Sequence, residues 1–505
     1  MNKETIKIWL KSNENKLLVL LMLFTIIMGL YYFFKLGNQP IWWDEGDYLA
    51  IAKVWAIGMS QPEWWSHFTG MRPLLMPVVW FLFMKIGLGE LAMRFFSILV
   101  PSILTVYLVY AVGRDLYNKK VGLIAGFIMS SYWVFLFYSF RLLTDIPALF
   151  LGMLTIYFFW SVYIKRKKNY GLYLAVVFGV LAFTARFPLA LVLAFCFLYL
   201  LFIKKKEFFK DKTIWKALAF LVLCLLPYII YFIYSNFYLF QFYSGEASIA
   251  AKIMPAFSIF QMFPMLFEIV FFILLLFGLI FFFRFILNLD LFFYQKDEKF
   301  NSDFFILLWI IVHLMFYVFL IRAANDRWLL MLMPALFYVI SRGLVEMYGF
   351  AKKYSNYFAV FLIFTLLLAG GYFQLNHANQ LINIKKDTYK EVMLAGLWLK
   401  ENTPIDAKIM TASIVQNQYY SERQTYSFYV NGTYTDKKLV EEKIQNLKPD
   451  YFIVSIFEPA FTPEWVYSYP QENNLTAVQA YTSTKEYEKI YNVPEGTPLL
   501  IIYKF

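Results

Sequence analysis

Charge is the scarce ingredient of this sequence. Of its 505 residues only 16% are Asp, Glu, Lys or Arg, while 61% are apolar and 22% aromatic. Soluble globular chains run about 25% charged and about 45–50% apolar, so a soluble fold is excluded, together with disordered and collagen-like chains. Cysteine is nearly missing: Cys196 and Cys224 both lie inside apolar runs, which excludes a disulfide scaffold and makes them small hydrophobes. The three histidines, His67, His313 and His377, are too few for a His-rich metal site, and only His67 lies in a loop where it could contribute. No Gly-rich nucleotide loop and no internal repeat is found.

The formal charge of +12 has the sign of a nucleic-acid binder, but its distribution has not. Residues 385 to 505 hold 13 basic and 15 acidic side chains, so the whole excess belongs to the first 384 residues. There it gathers in short clusters between apolar runs: Lys3/Lys7/Lys11/Lys16, Arg114/Lys119/Lys120, Lys165 to Lys168, Lys204 to Lys216, Arg284/Lys296/Lys299 and Arg342/Lys352/Lys353. That is a topology signal, and no nucleic acid is expected as a partner.

Apolar runs begin near Leu17, Glu90, Lys120, Ile146, Tyr170, Pro188, Ile214, Met265, Asp303, Trp328 and Tyr357. They predict a polytopic α-helical membrane protein with about eleven transmembrane helices. The basic clusters fall at alternate ends of successive runs, which predicts a cytoplasmic N-terminus and an extracytoplasmic tail, the plasma membrane being the expected location. Met76 to Leu88 is too short to cross and reads as a helix in the outer interface. The first outer loop, about Gly37 to Leu88, is then unusually long, and long ordered loops carry function. Leu17 to Phe34 reads as an uncleaved signal anchor.

The chain changes character near Asn376, so a membrane domain over 1–376 and a small α/β domain over 377–505 are expected. In the tail, helical patterns at Asp387 to Glu401 and Asp436 to Leu447 alternate with strand-like segments at Lys408 to Val415, Thr425 to Val430, Tyr451 to Ile456 and Leu499 to Tyr503. Asn431-Gly-Thr433 and Asn474-Leu-Thr476 match the N-glycosylation tripeptide, a weak signal on the expected outer side.

Outside the clusters ten basic residues remain in the membrane portion: Lys35, Lys53, Arg72, Lys85, Arg94, Arg141, Arg186, Lys252, Arg322 and Arg327. The threading brings Arg72, Arg141, Arg186, Arg322 and Arg327 to outer helix ends, with Asp44, Glu45, Asp47, Asp145 and Asp326. Any one of them alone reads equally well as an interfacial, snorkelling side chain. Their common sidedness argues for a site, because ionisable groups at membrane depth are costly. Trp42-Trp-Asp-Glu-Gly-Asp-Tyr48 is the most informative segment: three carboxylates within four residues repel one another and lose hydration at a lipid boundary, so packing alone explains them poorly. In Ser139-Phe-Arg-Leu-Leu-Thr-Asp-Ile-Pro147, Asp145 reads either as a helix N-cap or as a site residue.

With these residues in view, the sequence resembles the GT-C superfamily of lipid-phosphosugar-dependent glycosyltransferases, in the branch of protein O-mannosyltransferases and lipid A aminoarabinose transferases. The resemblance covers about Trp42 to Leu344 and the placing of an outer C-terminal domain. It rests on an Asp-Glu pair after the first helix with a tyrosine behind it (Asp44, Glu45, Tyr48), on Arg72-Pro73-Leu74 in part for Lys-Pro-Pro-Leu, and on Arg94 before the second helix. Arg141 and Asp145 match the Arg-x-x-x-Asp of the second outer loop, and Arg327-Trp328 with Pro334 a late Arg-Tyr-(apolar)-Pro. Aminoarabinose transferases carry an acid that helps to hold a metal where Met71 stands here, so no cofactor is assigned and a divalent metal is unsupported.

The resemblance implies an inverting transfer of a sugar from a polyprenyl (dolichyl or undecaprenyl) phosphate to an acceptor hydroxyl on a protein, lipid or glycan, at the outer face. Asp44 would be the base, with Glu45 and Asp145 orienting acceptor or base. Arg322 and Arg327 would clamp the donor phosphate, with Arg186 next in line, and Asp47, Tyr48, Arg72 and Arg141 would form the acceptor or supporting network. The rival reading is a transporter or flippase of a lipid-linked glycan; such folds usually show repeats and midplane charge. A membrane scaffold displaying the outer domain leaves Asp44 to Tyr48 unexplained.

Overall fold

A computed structural model describes the chain except residues 1–10, 60, 62, 64–68, 70–71, 235–255, 288–297, 324 and 431–435. Lys3, Lys7, His67, Met71, Lys252, Lys296 and the Asn431 tripeptide lie outside the described residues, as do the side chains of Arg284 and Lys299. The protein is mainly helical with one small sheet near its C-terminus.

Among the described residues eight helices are long and apolar enough to cross a membrane: Asn13–Leu36, Glu90–Leu116, Asp145–Ile164, Phe187–Lys204, Lys212–Tyr234, Phe257–Phe282, Phe300–Ile321 and Asn356–Asn402. At about 1.5 Å per residue an 18-residue helix already approaches the roughly 30 Å hydrocarbon thickness. The other three apolar runs also form helices, Lys119–Ser131, Tyr170–Ala185 and Met333–Lys352. Leu75–Lys85 has 11 residues, a length of about 16 Å, too short to cross.

The chain divides into two compact units, one of residues 1–35 and 94–382, the other of 36–93 and 383–505. The division read from composition at 376/377 falls inside the continuous Asn356–Lys385 helix. Residues 36–93 group with the tail, which no local pattern announces.

In the first unit, helices approach closely where side chains are smallest. A Cβ on Gly278 would lie 2.6 Å from the Val339 carbonyl oxygen, and one on Gly343 would lie 2.9 Å from the Gly278 Cα, so both must be glycine for the Phe263–Leu287 and Met333–Lys352 helices to cross here.

The second unit holds a five-stranded sheet: β1 (Lys408–Met410), β2 (Gln424–Tyr426), β3 (Tyr451–Ser455), β4 (Thr476–Thr482) and β5 (Pro498–Lys504), in the order β2-β1-β3-β5-β4. β1 pairs in parallel with β2 and β3, and β5 runs antiparallel between β3 and β4. Alternation along β3 builds two cores. Tyr451 and Ile453 pack with Val392, Ala395 and Leu399 of the Lys390–Asn402 helix, whereas Phe452 packs with Val440 and Ile444 of Lys437–Leu447 and with Val466 and Tyr469. Helices at Ile414–Ser421, Trp465–Glu472 and Lys485–Tyr491, and strand β4, are additions to the sequence reading. Ile414–Ser421 was obscured because it buries Gln416, Asn417 and Gln418, which gives no apolar stripe.

Candidate active site

The candidate residues fall into two sets, one in each unit. In the second unit the segment after Pro40 starts a helix, Trp43–Ile57. Trp42 is extended (φ −85°, ψ 171°), and its backbone N–H donates to the Glu45 carboxylate at 2.7 Å, the reciprocal half of a capping box. Glu45 is fully buried in this role. There it organises the helix start. Gly58 closes the helix in the left-handed region (φ 68°), its N–H reaching the Val54 carbonyl at 3.0 Å.

Asp44 and Asp47 leave the same turn and meet one arginine. Arg72 donates from Nε to Asp47 at 3.0 Å and from Nη2 to Asp44 at 3.2 Å, and its guanidinium lies 5.5 Å from the Tyr48 ring centre. Asp47 is closed off at 1% side-chain exposure while Asp44 keeps 28%. Burial raises the Asp47 carboxyl to about 7, with Asp44 and Glu458 pushing the same way and Arg72 opposing. Burial works against the Arg72 charge, but Asp47, Tyr48 and Asp44 outweigh it and hold the guanidinium protonated. One Asp47 oxygen, Oδ1, is buried without a hydrogen-bond partner. With a guanidinium seated between them, Asp44 and Asp47 do not offer a dication the carboxylate pair it would need, and a divalent metal does not fit this set.

Sequence reasoning missed two contributors to this unit. Glu458, from the loop after β3, is half-buried, raised by burial and by Asp44, and accepts a hydrogen bond from Gln416 at 3.4 Å. Lys53 donates to the Tyr419 carbonyl at 2.6 Å and pairs with Glu422 at 2.8 Å, which ties the Trp43–Ile57 helix to the Ile414–Ser421 helix. Only the charge of these residues was visible in the sequence, because the partners named for them lie 42 positions or more away.

In the first unit Asp145 is the first residue of its helix, behind Thr144, and its carboxylate goes to Arg186 at 2.7 Å. Thr144 takes the N-cap position expected of Asp145. Arg94, 2% exposed, donates to the Phe140 carbonyl at 2.6 Å and so fixes the loop that carries Arg141, itself buried. Asp326 accepts from the Tyr138 hydroxyl at 3.1 Å and from the Arg327 backbone N–H at 2.7 Å. Burial holds Asp326 above the usual carboxylate range. Arg322 is in the left-handed region (φ 56°) at the end of its helix and donates from Nε to the Phe319 carbonyl at 3.0 Å. Tyr317 stacks on Trp328 with centroids 6.3 Å apart, which joins the Arg322 and Arg327 segments.

Comparison with known proteins is informative at this point. The family model described as dolichyl-phosphate-mannose-protein mannosyltransferase matches residues 71–231. A protein of Aquifex aeolicus without an assigned activity is 27% identical over 198 residues, 38% of this chain and 39% of its own length, so the match spans about two fifths of that relative. ArnT from Cupriavidus metallidurans in the apo state superposes with a TM-score of 0.61 at 12% identity, over 97% of this chain and 98% of the other. The chain has the GT-C fold. The apo oligosaccharyltransferase of Archaeoglobus fulgidus supports the same GT-C assignment, with a TM-score of 0.64 at 13% identity over 89% of this chain and 70% of its own. The superfamily resemblance drawn from Asp44, Glu45 and their companions is borne out, and an integral membrane protein follows from the GT-C fold and the eight apolar helices.

Proposed function

We propose that this chain is an inverting glycosyltransferase that moves a sugar from a polyprenyl-phosphate donor to an acceptor hydroxyl at the outer face of the plasma membrane. The observation that carries the reading is the state of Asp44 within a GT-C fold: of three carboxylates in one helical turn, Glu45 is consumed by capping and Asp47 is closed off, and Asp44 alone keeps an open face. Neighbouring folds support the donor class, since the Cupriavidus ArnT has been seen bound to undecaprenyl phosphate and the Archaeoglobus enzyme with an inhibitory peptide and a dolichol-phosphate.

In the reaction the Asp44 carboxylate takes the proton of the acceptor hydroxyl as its oxygen bonds to the anomeric carbon. The bond from that carbon to the phosphate oxygen breaks, and its electron pair leaves with the lipid phosphate, which becomes a dianion. Backside displacement inverts the anomeric centre and needs no covalent enzyme intermediate. Arg322 and Arg327 stabilise the dianion, guanidinium being suited to bidentate phosphate contact. Arg186 is anchored by Asp145 and ranks behind them as a phosphate ligand. Arg72 sets the charge around Asp44, and Arg141 supports the second outer loop.

The test is transfer by the purified protein with lipid-linked sugars and acceptors extracted from the native membrane. Release of free polyprenyl phosphate together with a labelled acceptor is expected. Movement of intact lipid-linked glycan across a vesicle without bond cleavage would overturn the reading in favour of a flippase.

A further inference from the structure

The helix ends away from Asp145 and Arg186 carry positive charge that the proposed reaction does not use. Asp145 starts Asp145–Ile164 and Arg186 follows Tyr170–Ala185, so the links at 165–169 and 205–211 lie at the other ends of these helices and of Phe187–Lys204 and Lys212–Tyr234. Residues 165–168 and 204–216 hold ten basic side chains against two acids, Glu207 and Asp211. The two links are joined: Lys204 donates to the Tyr163 hydroxyl at 3.2 Å and pairs with Asp211, whose carboxylate also accepts from the Thr213 backbone N–H at 2.8 Å. Asp211 is thereby taken up in holding the link and starting the next helix, and Glu207 lies 3.7 Å from Lys210. Arg166 turns inward and donates to the Ser161 carbonyl at 2.8 Å and the Asp115 carboxylate at 3.3 Å. Lys167 (φ 53°) and Lys205 (φ 51°, ψ −128°) both stand in the left-handed region. At the first, the Lys168 N–H reaches back to the Val162 carbonyl at 3.1 Å, a helix ending that ordinarily has glycine where Lys167 stands. Glycine would make either turn at lower conformational cost, so turn geometry does not account for a lysine there, whereas its ammonium group does. Next to Lys210, Phe209 is 63% exposed and Trp215 50%, with the Trp215 indole N–H on the Phe209 carbonyl at 2.9 Å, while Phe208 is buried.

We propose that these two links form one binding site for the headgroups of anionic phospholipids, with lysine ammonium groups on the phosphodiester oxygens and Phe209 and Trp215 at the boundary of the acyl chains. Three features of the patch define the ligand class. Its charge is of one sign and lies at helix ends, where a membrane-spanning chain meets lipid headgroups. Its exposed cations include Lys167, Lys205, Lys206 and Lys210, point charges on flexible stems that meet a phosphodiester from any direction. The guanidinium of Arg166, which would bring a fixed fork, is directed at the protein's own carbonyl and carboxylate. The third feature is the pair of exposed rings beside the lysines, a combination that settles in the interface with the rings toward the acyl chains and the ammonium groups toward water. A soluble polyanion would leave those rings in water, so a lipid fits the patch better than a free phosphate or a nucleic acid. The inference needs only that the chain is an integral membrane protein and does not depend on sugar transfer.

The experiment titrates the full-length protein in neutral detergent with phosphatidylglycerol, phosphatidylcholine or glycerol 3-phosphate, reading bound lipid by mass spectrometry and stability by Tm. Wild type is expected to bind phosphatidylglycerol in preference to phosphatidylcholine, to gain Tm with it, and to lose the preference as salt is raised. The decisive variant is the pair Lys167→Gly with Lys205→Gly. Its turns are relieved, so its Tm in phosphatidylcholine stays equal to wild type or rises, while its affinity for phosphatidylglycerol falls by about fivefold for each lysine removed. A role confined to the turns would move Tm in that way and leave lipid affinity alone. Adding Lys206→Gln and Lys210→Gln abolishes the preference; should that fourfold variant fail to insert, because basic clusters also set topology, the glycine pair decides by itself. Undiminished phosphatidylglycerol binding in the glycine pair overturns the inference, as does a wild type that binds the two lipids equally. Glycerol 3-phosphate that raises Tm as much as phosphatidylglycerol also overturns it, in favour of a soluble phosphate.

Discussion

Two carboxylate–arginine–tyrosine sets in this protein use the same residues to different ends. In the first unit Asp303 pairs with Arg342 and accepts from the Tyr117 hydroxyl at 2.7 Å, while Arg342 lies 5.5 Å from the Tyr117 ring centre. In the second, Arg72 bonds Asp44 and Asp47 and lies at the same distance from Tyr48. They differ in what stays accessible. Asp303 and Arg342 keep 4% and 13% side-chain exposure, Asp44 and Arg72 28% and 25%. The Asp303 set joins the Glu298–Met315 helix to the middle of Met333–Lys352 and to Tyr117 at the end of Val100–Leu116, and it reads as a structural clasp. The Asp44 set has a second acid, Asp47, that takes most of the guanidinium and leaves Asp44 a face for chemistry. Composition alone therefore does not separate a closed set from one with an accessible carboxylate; the division of hydrogen bonds does.

The largest expected effect that would break this contrast is on turnover. Asp44→Asn keeps size and hydrogen bonding but removes the base, so sugar transfer should fall by about 10²–10⁴-fold with thermal stability and donor binding retained. Turnover at the wild-type rate would return Asp44 to the class of Asp303. The converse change, Asp303→Asn, should leave the turnover of folded protein intact and cost stability, on the order of 3–5 kcal/mol where a buried partner loses its counter-charge. Thermal unfolding in detergent, with activity per folded molecule, measures both sides.

Next in size is the phosphate clamp. Arg327→Ala or Arg322→Ala should weaken lipid-donor binding and slow turnover by about 2–5 kcal/mol in kcat/KM, and Lys at either position should recover part of it, because an ammonium keeps charge but not the bidentate geometry. Donor titrations with a polyprenyl phosphate sugar read this directly, and unchanged affinity in both Ala variants would pass the phosphate to Arg186.

The smallest effect sharpens the role of Asp47. Its folded carboxyl stands at about 7, above the ordinary value of 3.8. The fold therefore favours the protonated form: this contribution to stability is complete below about pH 4 and is lost as pH rises through 7. Asp47→Asn should flatten the stability profile over that window, seen as a smaller change in Tm between pH 4 and pH 8 than in wild type. A Tm profile of unchanged slope would mean that Asp47 stays ionised beside Arg72 throughout.

Legibility in the sequence followed the range of the interactions involved. The helices Asn13–Leu36 and Phe187–Lys204 are local statements, since an uninterrupted apolar run of that length has no other stable state in lipid. The Asp44 to Tyr48 cluster was legible because three adjacent carboxylates are costly wherever they lie. The bonds that charged residues make were not: Glu45 accepts from Trp42, three positions away, and Asp145, outside the cluster, pairs with Arg186, forty-one positions away. Glu458 carried no mark, being one of 15 acids in an ordinarily charged tail.

By itself, then, the sequence determined the membrane class, the helical runs, the alternation that builds β3 and β5, and the segment from which the proposed base is drawn. These follow from hydrophobic period and length, which act over a few residues and need no partner. Only the tertiary structure decided that residues 36–93 form one unit with 383–505, that Arg72 is shared between Asp44 and Asp47, and that Gln416 bonds Glu458. Burial and hydrogen-bond partners belong to the folded chain as a whole, and the same carboxylate is a cap, a clasp or a base according to which donors reach it first.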